Sequence, residues 1–351
     1  MSNLPSGEIP RGAIRFNTDS NKPELWDGSQ WAELQLSTPN LGRSVDTEPG
    51  ARGLFAGGYA PSGSTSVNTI TYVNISTTGD AQNFGDLTRS SNTAYISQSS
   101  TSSQTRGLWA GGFPMNTTID LVTISSTGDA SDFGDLTQGR YGAGAVSNGT
   151  RAVWMGGNTV GNNTGVVNTT DYVTISSNGN AVDFGDTGGG NGINTQAALS
   201  DRIRGVSAGG NSTSGSTENI YYITIATLGN SVDIGDLGEP NGLTLPMGVS
   251  NATRGLIAGG YANPAMTPRI QYLTMSNLGN STDFGDLTVA RYGAGSTNSP
   301  TRGLFAGGAN PSRDDTIDYV NIQTSGDAVD FGNLTATTWL CGGCSNAHGG
   351  L

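Results

Sequence analysis

Arg52-Gly53-Leu54-Phe55-Ala56-Gly57-Gly58 is a phrase that the chain writes six times. The later copies begin at Arg106, Arg151, Arg204, Arg254 and Arg302, and each ends in a glycine pair. Their starts lie 54, 45, 53, 50 and 48 residues apart. A repeat of this period is one supersecondary unit that cannot bury its own apolar face, so copies must stack or gather around an axis.

Each copy continues alike. After the glycine pair come a loop and a strand, such as Ile70-Thr71-Tyr72-Val73-Asn74-Ile75. A turn follows, centred on Gly79, Gly128, Gly179, Gly229, Gly279 or Gly326, with Asp or Asn next. Such a pair between extended runs suits a tight hairpin, because glycine reaches positive φ without a Cβ clash. The unit closes on Phe84-Gly85-Asp86-Leu87 or a variant, with Ile234 replacing the Phe in the fourth copy.

Part of the unit is locked in length and part is free. From the Tyr72 position to the turn glycine is seven residues in all six copies, and from there to the Phe84 position is five. The loop after the glycine pair runs from six to twelve residues, and the stretch from the Phe84 position to the next repeat Arg from eighteen to twenty-two.

Four strands per unit are predicted, illustrated by the third: a from Tyr141 to Val146, b from Ala152 to Met155, c from Asp171 to Ile175, d around Ala181 to Gly185. Strand b is apolar on both faces, as in sheets packed between neighbours. The small residues of strand a suit the crowded centre of a propeller. The first unit lacks a good strand a, while Thr338-Trp339-Leu340-Cys341-Gly342-Gly343-Cys344 reads like a spare one after the sixth. It is expected to complete the first blade and close the ring, in preference to residues 41–50. The fold class is therefore all-β: a six-bladed propeller over residues 41–351. The glycine pairs and the Tyr72 position make it resemble kelch repeats, with departures at Leu121 and at Phe84, where kelch repeats carry Trp.

Residues 1–40 differ. Ala13-Ile14-Arg15-Phe16, Glu24-Leu25-Trp26 and Gln30-Trp31-Ala32-Glu33-Leu34 read as a three-stranded β meander too small to be secure alone.

Net charge is −12 and Lys22 is the only lysine, so no basic stripe for nucleic acid exists. No apolar run approaches the ~20 residues of a membrane helix, and no membrane insertion is expected. His348 is the only histidine, which removes multi-histidine metal sites and His-based triads. No cofactor, metal or enzyme activity is expected, a carbohydrate-active enzyme being the third choice among functions. Cys341, Cys344 and His348 are three zinc-type ligands without a fourth, and two buried free thiols are expected instead. Arg52, Arg106, Arg151, Arg204, Arg254 and Arg302, with Asp86, Asp135, Asp186, Asp236 and Asp286, recur in blade after blade. An active site is usually built once, so these read as structural, in Arg–carboxylate contacts or turn caps that stitch blades together.

In an antiparallel four-stranded blade, loops b–c and d–a leave one side of the ring. These are the variable ones, so all length variation should project from one face, and loops on a rigid scaffold carry binding. Tyr59, Phe113 and Tyr261, each directly after a glycine pair, are the candidate ligand contacts.

Gly12-Ala13-Ile14-Arg15-Phe16-Asn17-Thr18-Asp19 through Trp26-Asp27-Gly28-Ser29-Gln30-Trp31 resembles a short module near the start of bacteriophage tail-fibre and other virion proteins. The repeats resemble those of structural or fibre proteins of marine tailed phages. This resemblance implies a place on the virion, in a tail fibre or on the capsid exterior. It implies attachment to other virion proteins through residues 1–40, self-association as a homo-oligomer, with a trimer favoured, and a host-surface receptor or glycan as ligand. The alternative is a capsid decoration or tail adaptor that binds only virion proteins.

Overall fold

The structure, a computed structural model, describes residues 9–17, 22–33, 52–59, 66–89 and 99–347. Contacts divide the chain into two units, Met1–Ser44 and Val45–Leu351.

The first unit is an antiparallel meander of Ile14–Asn17, Lys22–Trp26 and Trp31–Glu33. Its turn at Asp27 is held by that carboxylate, which accepts from the backbone N–H groups of Gln30 and Ser29 and is thereby kept below its usual pKa. On one face the Arg15 Nε lies 2.7 Å from a Glu24 oxygen while its guanidinium covers the Trp31 ring at 4.3 Å. Ile14 and Phe16 alternate with Arg15 and so face the other way, where they are 68% and 59% exposed.

The second unit is a six-bladed β-propeller of four-stranded antiparallel sheets. In order a, b, c, d, blade 1 is Gly342–Ser345, Arg52–Ala56, Thr69–Asn74 and Gln82–Asp86. Blade 2 is Ser100–Ser102, Arg106–Ala110, Thr118–Thr123 and Ser131–Asp135. Blade 3 is Gly144–Ser147, Arg151–Met155, Thr169–Thr174 and Val182–Asp186. Blade 4 is Ala197–Ser200, Arg204–Ala208, Asn219–Thr224 and Val232–Asp236. Blade 5 is Met247–Ser250, Arg254–Ala258, Arg269–Thr274 and Thr282–Asp286. Blade 6 is Gly295–Asn298, Arg302–Ala306, Thr316–Asn321 and Val329–Asn333. The C-terminal strand does complete blade 1, with Gly342 opposite Ala56 and Ser345 opposite Gly53. Residues 41–50 lie outside the described ones.

The six strands a touch one another in a closed circle around the axis. Their last residues are Ser345, Ser102, Ser147, Ser200, Ser250 and Asn298, and hydroxyls here donate across blades. Ser147 gives to the Ser102 carbonyl at 2.6 Å, Ser345 to Asn298 at 2.6 Å and Ser250 to Ser200 at 2.8 Å. A cavity of about 70 Å³ lies along the axis, lined mostly by the small side chains of strands a.

Between blades the core is apolar. Trp109, Trp154, Phe55 and Phe305 on strands b are buried to within 2% exposure, and burying a large apolar side chain fully is worth about 1.5–3 kcal/mol. Blades are also laced through their outer edges. In each blade the c–d turn lies along strand d of the preceding one: the Gly128 N–H donates to Phe84 O at 2.8 Å, Ala130 N–H to Asp86 O at 2.8 Å, and Asp129 Oδ1 accepts from Asp86 N–H at 3.0 Å. The last step, from Gly79, Asp80 and Ala81 to Phe331 and Asn333, closes the circle. The turn pair Gly–Asx is thus an interblade dock as well as a hairpin. Gly85 and its counterparts make room for it, since a Cβ at Gly85 would sit 2.3 Å from Gly128 O.

The two cysteines are free and buried among apolar neighbours, which pushes the Cys341 thiol up to about 11 and Cys344 higher still. His348 lies outside the described residues, among which no cluster of metal-ligating side chains occurs.

Deleting residues 336–351 removes the strand that closes blade 1 and uncovers a sheet edge at the axis. The truncated chain is expected to lose its single cooperative melting transition and to aggregate, read by calorimetry and light scattering. An unchanged transition would mean the ring does not depend on this closure.

A candidate ligand-binding ring on the variable-loop face

The repeat arginines link blades, but to backbone carbonyls and not to carboxylates of the Asp-Phe-Gly-Asp phrase, so of the two contacts expected from sequence the Arg–carboxylate one is not made. Each donates from Nη1 to the carbonyl just past strand c of the next blade: Arg52 to Ile124 at 3.0 Å, Arg106 to Ile175 at 2.9 Å, Arg151 to Ile225 at 2.9 Å, and Arg204 to Met275. Arg254 reaches Ile322 and Gln323, and Arg302 reaches Ile75 and Ser76 across the closure. Those carbonyls stand where the ladder has ended, so a charged donor is the partner they lack. In four blades the guanidinium also lies over the strand-c tyrosine, as Arg151 does over Tyr172 at 4.3 Å. Asp86, Asp135, Asp186, Asp236 and Asp286 are exposed at the outer edge, and it is their backbone N–H groups that take part in docking. The six arginines begin strands b, away from the variable loops, and the five Asp residues end strands d, where the d–a loops begin.

The opposite face is built differently. The residue directly after each glycine pair forms an isolated bridge with the residue three before strand a of its own blade. The pairs are Tyr59 with Trp339, Asn158 with Tyr141, Asn211 with Asn194, Tyr261 with Thr244, and Ala309 with Tyr292. Phe113 holds the first position in blade 2, and its counterpart lies outside the described residues. The residue after the second position has positive φ every time: Gly142 (+67°), Thr195 (+55°), Leu245 (+55°), Gly293 (+65°) and Leu340 (+64°). Strand a therefore begins later than the sequence pattern predicts, because this kink ends the approach and lifts Tyr141, Tyr292 and Trp339 into the ring. For Thr195, Leu245 and Leu340 the left-handed conformation costs about 1–2 kcal/mol each, a strain that persists only where surrounding structure imposes it.

The ring is aromatic over most of its course. Tyr261 and Tyr292 have centroids 6.5 Å apart, Tyr292 and Trp339 5.5 Å, and Trp339 and Tyr59 6.0 Å in a stacked pair at 27°. Phe113 meets Tyr141 edge-on at 5.6 Å and is 37% exposed. Burial raises the Tyr141 phenol, with Tyr59 adding to the effect; burial likewise raises that of Tyr292, with Tyr261 adding. Tyr59, Phe113 and Tyr261, the three candidates read from sequence, thus enter one array with Tyr141, Tyr292 and Trp339, which sequence reading had assigned to strands or left aside. The remaining arc is polar. Thr244 donates to Asn211 at 2.8 Å, and the Asn194 side-chain oxygen is buried without a hydrogen-bond partner.

Buried charge positions two ring members. Arg140 and Arg291, immediately before Tyr141 and Tyr292, are essentially unexposed and pair with Asp171 at 2.9 Å and Asp318 at 2.7 Å. Each Asp is the third residue of strand c and also takes a hydroxyl, from Thr137 and Thr288 respectively, both at 2.7 Å. Arg89, Thr88 and Asp120 repeat the arrangement in blade 2, where burial raises the Asp120 carboxyl against the pull of Arg89. Blades 4 and 5 have Ile193 with Tyr221 and Leu243 with Gln271 at these places. Arg and Asp occur together or not at all, and that co-occurrence was the available sequence signal. The array offers flat apolar faces beside amide and hydroxyl groups, the chemistry that suits a sugar ring.

No family model and no curated protein matches the chain.

Arg140→Leu leaves Asp171 charged and buried and is expected to cost about 3–5 kcal/mol. Adding Asp171→Gln installs the neutral pair of blade 5, where Gln271 accepts from the Gly238 N–H at 2.7 Å, and should restore most of the loss. Denaturant midpoints of both variants check this; a double variant no better than the single would refute the pairing.

Proposed function

We propose that the chain is a virion component, a fibre or spike part of a bacteriophage, that binds a saccharide on the host surface through the aromatic ring of its propeller. The observation that carries this reading is the continuous run Tyr261–Tyr292–Trp339–Tyr59, whose neighbouring ring centroids lie 6.5, 5.5 and 6.0 Å apart. Aromatic faces bind the apolar face of a sugar while neighbouring Asn and Thr groups take its hydroxyls. The virion setting rests on the resemblance of the first module and the repeat phrases. Individual sites of this kind are weak, and several copies on one particle would sum by avidity. The role is binding rather than catalysis.

A second reading, a decoration or adaptor protein, draws support from the first unit. Its apolar face, with Ile14 and Phe16 exposed, suits a protein partner or further copies of itself.

Two measurements separate these. On an array of bacterial surface glycans the protein should bind, and Trp339→Ala with Tyr292→Ala should lower affinity at least roughly tenfold with folding unchanged. Equal binding by the variant would remove the ring from the function. By light scattering the full chain should be a trimer, and Ile14→Ser with Phe16→Ser should shift it towards monomer. A monomeric full chain would end the self-association proposal.

A further inference from the structure

We infer that the ring selects an acidic saccharide, with a sugar carboxylate held by Arg313; this rests on the saccharide reading above and specifies it. Arg313 belongs to the small hairpin of Ala309–Asn310 and Ser312–Arg313 in the b–c loop of blade 6. That backbone pairing fixes its origin beside the ring, since Ala309 itself bridges Tyr292. Its guanidinium lies 5.4 Å from the Tyr59 ring centroid, and Tyr59 stacks on Trp339. A cation and an aromatic platform thus adjoin where blade 6 meets blade 1.

The other arginines of this face are engaged. Arg140 and Arg291 are buried against Asp171 and Asp318, and Arg269 is bound to Asp283 at 2.9 Å and Glu239 at 3.3 Å. Arg313 has no ion pair and no side-chain hydrogen bond among the described residues. Asp314 does not compete for it. Burial raises the Asp314 carboxyl, but the Thr316 N–H and hydroxyl and the Asp315 N–H turn the balance, and it stays below its usual value, bonded inward and 3.7 Å from Arg291.

The free donors of Arg313 form a planar fork that matches a carboxylate in two parallel hydrogen bonds. A uronic or sialic acid unit laid on Tyr59 and Trp339 brings its carboxylate to that fork. Long-range attraction does not help, because the chain carries a net charge of −12 and repels polyanions at a distance. Preference for an acidic sugar must then come from this one contact, and replacing it should remove the preference while keeping the platform.

The test uses the full chain in calorimetric titrations with oligogalacturonate and sialyllactose, each against its methyl ester, which keeps the ring and removes the charge. The wild type should bind at least one acid roughly tenfold more tightly than its ester. Arg313→Gln should lower the acid to the level of the ester, Arg313→Lys should keep part of the difference, and Trp339→Ala should weaken acid and ester alike. Equal binding of acid and ester, or a preference that survives Arg313→Gln, overturns the acidic assignment and leaves the saccharide reading standing if Trp339→Ala still weakens binding. No binding of either acid overturns it too, and the glycan array then decides the broader reading on its own.

Discussion

Every sheet of the propeller has an outer strand that would be an open edge, and each is covered by the turn of the next blade. The contact is small: the turn glycine (except Gly279) and the residue two after it give N–H groups to strand d, and the Asp or Asn between them gives one side-chain oxygen. Made six times, the last from blade 1 to blade 6, it turns six open edges into a closed circuit. The remaining features follow from it. The preceding Phe-Gly-Asp phrase must carry glycine because the turn passes where a Cβ would be. The distance from strand c through the turn to strand d cannot vary, because an inserted residue would carry the turn off its dock.

This constraint divides the two faces of the ring. One has its loops committed to neighbouring blades by the docking turns and by the arginines that reach the next strand c. The other carries the glycine-pair loops and the approaches to strand a, which differ in length and in side chains from blade to blade. Length change is tolerated there, and so is a change of side chain. The small hairpins of blades 4, 5 and 6 and the 3₁₀ turn Asn163–Gly165 of blade 3 are four solutions to one connection.

Much of the fold was legible in the sequence because repetition averages away local ambiguity. Six copies of one phrase fixed the number of sheets, and the surplus Gly342-Gly343-Cys344 at the end had one vacancy to fill. Gly343 could also be placed at the axis from size alone, and a Cβ there would sit 2.4 Å from Ser296 O. What could not be read was pairing between units. The partner of Arg52 is a backbone carbonyl 72 residues away, and a carbonyl has no sequence signature. Tyr141 and Trp339 look like strand residues, since neither Gly142 nor Leu340 announces a left-handed kink. Leu340 least of all does so, being a residue that rarely adopts one. Tyr59, Phe113 and Tyr261 were visible as aromatics after glycine pairs, but the residues they stack on come from other segments.

A repeat protein offers an internal control that a unique fold lacks, because each position is sampled six times in one backbone setting. Where all six copies agree, as at the repeat Arg or the turn glycine, the position serves the contact that all six blades share. Where they disagree in the same backbone setting, the scaffold has stopped dictating. The ring positions are of this second kind: Tyr, Phe, Asn, Asn, Tyr and Ala after the glycine pairs, and Tyr, Asn, Thr, Tyr and Trp before strands a in blades 3 to 6 and 1. The backbone strain following them is nevertheless kept, even at Thr195, Leu245 and Leu340, where a glycine would relieve it. The geometry of the ring is therefore imposed alike in the five blades where both positions are described, while its chemistry is not, so an aromatic arc lies on one side and an amide arc on the other.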